Sequence, residues 1–275
     1  MQTENTYTKL LVLVTLLLLA AGTSQVLAQK DEGTPSADEI MTKAWWSGKL
    51  DGAESVMTLT IYNKRGQSRV RKMAMISKLY DNGQTEKSLI RFIEPADVKG
   101  TGLLTYDYEK QDDDIWFYLP AQKKTRRIVS SEKAKSFMGS EFSYADMTPP
   151  AVENFNHKLL GEEKVDGVDC YIVESVPKNE EIEDENGYSK RTAHIGKDDF
   201  VVRKAVFYDL DGELHKELTV KEVKEIDPDK HRYRPTHMIM ENKQDGRKSE
   251  VRIDKIQLRT DIPDDYFTER YLERE

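Results

Sequence analysis

The chain has 275 residues, a net charge of −8 and a single cysteine, Cys170. Such an acidic chain disfavours nucleic acid as a partner, because phosphate backbones are bound by basic surfaces. One cysteine excludes an internal disulfide. Cys170 shares one face of a predicted strand with Val168 and Ile172, which indicates a small core residue rather than a catalytic thiol.

The N-terminus has the pattern of a secretory signal peptide. Lys9 precedes an apolar run, residues 10–21, that is shorter than the roughly 20 residues of a permanent transmembrane helix. Ala28 is a small residue suited to a cleavage site. Residues 1–28 are therefore predicted to be removed and residues 29–275 to form one exported, soluble domain. A single uncleaved N-terminal anchor is the alternative.

The next elements predict a mainly β domain. Ser36 and Glu39 form a capping box that starts a short helix ending near Trp46. From Glu54 onward apolar and polar residues alternate, and turn residues such as Asp211-Gly212 link the alternating runs. Short links make an antiparallel meander, and one this wide curls into an incomplete barrel. About 11 or 12 strands are predicted, within residues 54–62, 70–75, 86–93, 102–108, 115–119, 124–129, 168–175, 188–195, 201–208, 213–223, 232–241 and 248–258.

Motifs of known catalytic or metal sites are missing from the sequence. It has no Gly-x-Ser-x-Gly elbow, no phosphate-binding glycine loop and no His-Glu-x-x-His helix. His231 and His237 would lie about 20 Å apart along one strand, too far to share a metal ion. The sequence predicts no enzymatic activity, no metal and no cofactor.

A basic hairpin is predicted with its tip at Pro120-Ala121-Gln122. That tip puts Asp114 opposite Arg127 and Trp116 opposite Arg126, which allows an ion pair and a cation–π contact. The alternative is a docking patch for lipid phosphates or an acidic partner, formed by Lys123, Lys124, Arg126 and Arg127.

The apolar side chains of the first strands have two interpretations, an ordinary core or the lining of a cavity. A half-barrel with few helices cannot fill its own concavity, and leftover apolar space suits an acyl chain. The predicted lining residues are Met57, Leu59, Ile61, Met73, Met75, Ile90, Phe92, Leu104, Tyr106, Trp116 and Tyr118.

Three segments resemble the LolA-like family of outer-membrane lipoprotein-sorting proteins. They are RFIEPADVKGTGLL (91–104), DIWFYLPAQKKTRRI (114–128) and SFMGSEFSYADM (136–147), and their order and spacing match as well. The resemblance implies an incomplete antiparallel β-barrel with short helices as a lid over an apolar cavity. It also implies a Gram-negative periplasmic location and lipid-modified cargo.

The family also suggests what works beside the chain. An inner-membrane transporter of the resistance-nodulation-division type and an outer-membrane acceptor are the implied partners of a monomeric carrier. The implied cargo is an acylated lipoprotein or a lipid that is carried toward the outer membrane. The alternative function is a non-carrying adaptor that docks the transporter. Phe137, Met138 and Phe142, beside Gly139, are predicted to cover the cavity mouth and to move when cargo enters. Ordinary packing of that loop is the other interpretation.

Overall fold

The computed structural model describes residues 33–274, so the predicted signal peptide lies outside the described residues. Every described helix and strand belongs to one compact unit, Ser36–Glu275. The strands are β1 (Gly52–Tyr62), β2 (Ser68–Tyr80), β3 (Thr85–Glu94), β4 (Gly102–Tyr108), β5 (Asp114–Leu119), β6 (Lys124–Arg127), β7 (Phe155–Val165), β8 (Val168–Pro177), β9 (Lys190–Gly196), β10 (Val202–Tyr208), β11 (Leu214–Asp227), β12 (Arg232–Asn242) and β13 (Lys248–Leu258). The α-helices are α1 (Ala37–Ser47), α2 (Ser130–Lys133), α3 (Glu180–Asn186) and α4 (Glu269–Leu272).

All 13 strands form one sheet in the order β6-β5-β4-β3-β2-β1-β13-β12-β11-β10-β9-β8-β7. Each neighbouring pair is antiparallel, and the β1–β13 pair joins two meanders into a single surface. The sheet is not closed, because β6 and β7 are its two edges. This confirms the predicted fold class, a mainly β, incomplete antiparallel barrel with short helices.

The strand count is 13 rather than about 11 or 12, mainly because β7 was not predicted. Most of its residues are polar, and Gly161 interrupts its pairing with β8 at a register shift. Helix α3 was also missed, since its flanking residues resemble turn residues. The Asn179 side chain accepts from the Ile182 amide, and Gly187 ends the helix at φ 70°.

Helix α1 begins at the predicted capping box. The Glu39 amide donates to Ser36 Oγ over 3.2 Å, and the Ser36 amide donates to Glu39 Oε2 over 2.8 Å. Its buried Ile40 and Met41 pack with residues of β8–β10 and β12 on the inner face of the sheet. The helix therefore fills part of the concavity.

The outer face of β3–β5 is covered by the C-terminal segment. Ile262, Phe267 and Leu272 pack there in a buried cluster. Arg91 on the same face donates to the Tyr271 and Leu272 carbonyls over 2.7 and 3.2 Å, which satisfies groups that the end of α4 leaves open. This half of the sheet thus has apolar packing on both faces.

Two further observations bear on function. Among the helices of residues 33–274, none combines the length and the apolar character needed to cross a membrane. In the same range, His, Cys, Asp and Glu side chains nowhere gather in a group of three that could hold a metal ion.

Candidate functional site

A cavity of about 440 Å³ lies between the inner face of the sheet and the segment that links its two edges. We call residues 128–154 the cover segment, since they run from the edge strand β6 to the edge strand β7. The volume falls within the range of small-molecule sites, which are mostly apolar. Side chains from β1, β2, β12 and β13 line one side, while Phe137, Phe142 and Met147 of the cover segment line the other.

The predicted lining residues divide into three groups. Met57, Leu59, Met73, Met75 and Ile90 line the cavity. Phe92 and Ile61 belong to the buried cluster around Phe137, beside the cavity. The third group lies on the outer face under the C-terminal segment: Leu104, Tyr106, Trp116 and Tyr118.

The residues of the third group were predicted to line the cavity but lie on the other face of the sheet. Alternation along β4 and β5 shows which residues share a face but not which face points inward. Leu103, Ile115 and Phe117 occupy the inner face, and their apolar neighbours on the outer face are buried by Phe267 and Leu272. Four predicted residues therefore pack as core, outside the cavity.

The second half of the chain also contributes lining residues that were not predicted. Met238 and Met240 on β12 face the cavity opposite Val251 and Ile253 on β13. Alternation with polar neighbours was visible in the sequence for Val251 and Ile253, whereas Ile239 between the two methionines obscures it on β12. Only the β1–β13 pairing shows that they share a concave surface with Met57.

The predicted lid residues lie in the cover segment, which is anchored at Glu141. Its backbone amide donates to Ser249 Oγ over 2.9 Å, while its carboxylate accepts from Asn242 Nδ2 over 3.1 Å. The carbonyl of the same residue accepts from Lys216 Nζ over 2.8 Å. Phe137 and Phe142 line the cavity, and Met138 sits at φ 53° with its carbonyl accepting from Arg71.

A buried ion network lies beside the cavity, around a second cavity of about 240 Å³. Lys49 Nζ is 3.1 Å from Glu86 Oε2 and also pairs with Asp107, while Arg234 reaches Glu86 over 3.3 Å. Burial raises the pKa of Asp107 to about 7, against the opposing effect of Lys49. Met75 and Arg234 line both cavities, so the network borders the larger one.

A serine–histidine pair also faces this region but lacks the parts of a nucleophilic site. His157 Nδ1 lies 2.8 Å from Ser175 Oγ, and Nε2 lies 3.0 Å from the Val152 carbonyl. A catalytic histidine is usually oriented by a carboxylate, and its serine must reach substrate. Ser175 has no exposed surface, so its hydroxyl acts here as a hydrogen-bond partner.

The basic hairpin forms one residue out of the predicted register. Pro120–Gln122 makes a 3-10 turn and Lys123 adds a left-handed residue at φ 48°, so Trp116 pairs with Arg127 and Phe117 with Arg126. The ion pair between Arg127 and Asp114 still forms, and Arg126 contacts the Phe117 ring at 5.8 Å. All four residues of the predicted docking patch are exposed, but Arg126 pairs with Glu132 over 2.7 Å and Arg127 with Asp114, which leaves the charges of Lys123 and Lys124 available.

Comparisons with known proteins agree with this geometry. A family model described as an uncharacterized protein family matches residues 84–274. A domain named for outer membrane lipoprotein sorting, from Vibrio parahaemolyticus, is 30% identical, with a TM-score of 0.78 over 86% of this chain and 98% of that chain. The chain belongs to the LolA-like family of outer-membrane lipoprotein-sorting proteins.

Other LolA-like relatives support the assignment. A DUF1329 family protein from Desulfovibrio piger is 32% identical, with a TM-score of 0.78 over 86% of this chain and 97% of that chain. A LolA superfamily protein from Nitrosomonas europaea, 22% identical, has a TM-score of 0.66 over 86% of this chain and all of that one, which shows a shared fold. The search of curated proteins found no match. The resemblance stated from the three sequence segments is thus confirmed.

Proposed function

We propose that this LolA-like chain is a periplasmic carrier that holds the acyl chains of a lipoprotein or lipid in its cavity and shuttles them toward the outer membrane. The observation that carries the proposal is the apolar cavity of about 440 Å³ inside an unclosed sheet. Each CH₂ group moved from water into such a space contributes about 0.8 kcal/mol. A lipid crossing an aqueous compartment therefore needs an enclosure of this kind.

The flexible methionines of the lining support a carrier of acyl chains. Met57, Met73 and Met75 of β1 and β2 and Met238 and Met240 of β12 line the cavity together. Unbranched thioether side chains adapt to ligands of different shape, which suits mobile acyl chains better than a rigid aromatic lining would. No chemical step is part of the proposal.

Entry of cargo is assigned to the cover segment. Phe137 and Phe142 line the cavity, Met138 packs against the buried cluster around Phe137, and the turn at Met138 and Gly139 separates two stretches of that segment. We expect the residues around this turn to move aside while Glu141 holds the segment to β11–β13. The rate of uptake of an acyl probe tests this expectation. Met138→Asp should slow uptake without lowering the stability of the protein.

Location and partners follow from the same family. The signal-peptide pattern of residues 1–28 and the lipoprotein-sorting name of the Vibrio relative support the periplasm. An inner-membrane transporter and an outer-membrane acceptor would be the donor and recipient of cargo. Lys123 and Lys124, exposed at the β5–β6 turn, are the proposed contact for acidic groups on either partner.

The test is native mass spectrometry with lipid extraction on the mature protein, purified from its own periplasm without detergent. The carrier proposal predicts a co-purified lipid or lipopeptide in a one-to-one complex. A clean apo mass, together with no uptake of added lipids, would contradict it and favour the adaptor, in which the basic hairpin docks a transporter and the cavity stays empty.

A further inference from the structure

A few charged side chains interrupt the mostly apolar lining of the cavity, and Arg191 is one of them. Arg191 lies on β9 on the same face as Ala193 and Ile195, which are buried in the inner core. Its neighbours across the strands are Ser175 on β8 and Phe207 on β10, and all three line the cavity. A guanidinium is thus placed beside the space that we assign to cargo.

Among residues 33–274, the guanidinium of Arg191 has no carboxylate within 4.0 Å and so makes no ion pair. Its Nε is buried, and residues 33–274 offer it no hydrogen-bond acceptor and no ion pair. The Phe155 ring centroid lies 6.0 Å away, a cation–π contact that compensates little. Burial lowers the pKa of Arg191, although the charge of Asp146 opposes this shift. An unpaired buried charge is costly, so this site is incomplete as it stands.

The polar groups nearest to Arg191 bond to other residues and make no hydrogen bond or ion pair with it. The Asp146 carboxylate accepts from the Ser143 amide over 2.7 Å and from Ser143 Oγ over 2.9 Å, with the Tyr188 hydroxyl at 3.5 Å. Burial lowers the pKa of His157, and the ring is hydrogen-bonded to Ser175 and to the Val152 carbonyl. All three bonds to Asp146 use Oδ2, and neither carboxylate oxygen lies within 4.0 Å of the Arg191 guanidinium, so Asp146 attracts Arg191 without pairing with it.

A second arginine of the cavity provides an internal comparison. Arg234 also lines the cavity and also has a buried Nε without an acceptor among residues 33–274. Its Nη2, however, reaches Glu86 over 3.3 Å and belongs to the buried ion network. Arg191 is therefore the better candidate to receive a charge from outside the protein.

We propose that Arg191 binds the anionic group, a phosphate or a carboxylate, of an amphiphile whose acyl chains lie against the methionines of β1 and β2. This inference rests on the proposed function and narrows its cargo to anionic amphiphiles. The planar guanidinium suits both groups because it can donate two parallel hydrogen bonds. The apolar lining buries the acyl chains, while the anionic group of the same ligand pairs with the Arg191 guanidinium.

The test compares two probes that differ only in the phosphate, 1-palmitoyl lysophosphatidic acid and 1-monopalmitoylglycerol. Dissociation constants for the full mature chain are measured by isothermal titration calorimetry below the critical micelle concentration of each probe. The wild type is expected to prefer the phosphate probe by about tenfold or more, as hydrogen bonds to charged groups imply. Arg191→Leu and Arg191→Gln should both abolish the preference, so that each folded variant binds the two probes with affinities within about twofold of each other.

Matched controls separate charge at this site from charge in general. Lys204→Met removes one positive charge from the outer face of β10, where Lys204 Nζ lies 3.3 Å from Glu217, and should keep the full preference. Thermal unfolding of each variant shows whether it is folded. Inorganic phosphate at millimolar concentration should not displace either probe, since the headgroup binds through its attached chain.

The outcomes are distinguishable. Equal affinity for the two probes in the wild type, or a preference that survives both Arg191 variants, overturns the inference and leaves the carrier proposal standing. Displacement of the phosphate probe by inorganic phosphate assigns Arg191 to a free anion and overturns the amphiphile assignment. Failure of both probes to bind the wild type contradicts the carrier proposal itself.

Discussion

Replacing Lys49 by methionine should destabilise the protein strongly, because it would leave two carboxylates buried without their shared cation. Lys49 is 2% exposed, and its partners Asp107 and Glu86 are 4% and 8% exposed. Lys49 follows the end of α1 and joins it to β3 and β4. The ion network thus fixes the helix beside the cavity.

The magnitude follows from burial and from the charges that remain. Removing one partner of a buried ion pair costs about 3–5 kcal/mol. Arg234 still reaches Glu86 over 3.3 Å, and Asp107 can take up a proton, so we expect the lower end, about 3 kcal/mol. For a domain of this size that corresponds to a fall in Tm of about 6–12 °C. The loss should be larger at pH 8 than at pH 6, because protonation of Asp107 relieves it.

The assay is urea unfolding of Lys49→Met at both pH values, with constant m-values as the check on two-state behaviour. Lys72→Met is the matched control, since Lys72 pairs with Glu94 over 3.4 Å at side-chain exposures of 46% and 62%; it should cost less than about 1 kcal/mol. Adding Asp107→Leu to Lys49→Met should recover most of the loss. A single variant within 1 kcal/mol of the wild type, or no recovery in the double variant, would refute the reasoning.

Three further predictions concern other parts of the molecule. The pKa of Asp107 is about 7 in the folded protein and about 4 in the unfolded chain, so the free energy of unfolding should fall as the pH rises from about 4 to about 7. Urea titrations at pH 5 and pH 8 should show this fall for the wild type but not for Asp107→Asn. An equal fall in the variant would contradict the prediction. Phe267→Ala should cost about 3–5 kcal/mol in the same assay yet leave acyl-probe affinity unchanged, since Phe267 packs outside the cavity; weakened binding to the folded variant would argue otherwise. Glu141→Ala should speed exchange of an acyl probe by about fivefold or more in stopped-flow fluorescence, because the cover segment loses the carboxylate contact with Asn242 and keeps only the backbone bonds of its anchor. Unchanged rates would show that this carboxylate does not limit entry.

The fold was predictable because alternation and turn residues are local signals. They located 12 of the strands and the capped start of α1 near Ser36, and the three family segments supplied the architecture. Strand β7 escaped because its residues are mostly polar, and a period-two search depends on apolar contrast. The predicted hairpin register was wrong by one residue. Lys123 has a positive φ in the turn, but lysine, unlike glycine or asparagine, does not signal this conformation in a sequence.

The site was only partly predictable, for reasons that are tertiary. Leu104 and Trp116 alternate as well as true lining residues do, and only the C-terminal segment around Phe267 shows that their face is the outer one. Arg191 lines the cavity but was not predicted to do so, because a charged residue in a strand is normally solvated. Its place in the same alternation as Ile195 was the signal that could have revealed it.

Acyl chains that occupy the cavity should be excluded by a bulky side chain placed inside it. The most direct test is therefore the affinity of such a variant for an acyl probe. Ser55 on β1 lines the cavity, whereas Thr60 on the same strand points to the outer face, so Ser55→Trp and Thr60→Trp add the same bulk to opposite sides of one strand. Equilibrium titration with a fluorescent palmitoyl probe should give one-to-one binding for the wild type and Thr60→Trp, and at least about tenfold weaker binding for a folded Ser55→Trp. Binding of Ser55→Trp that equals the wild type would contradict the account.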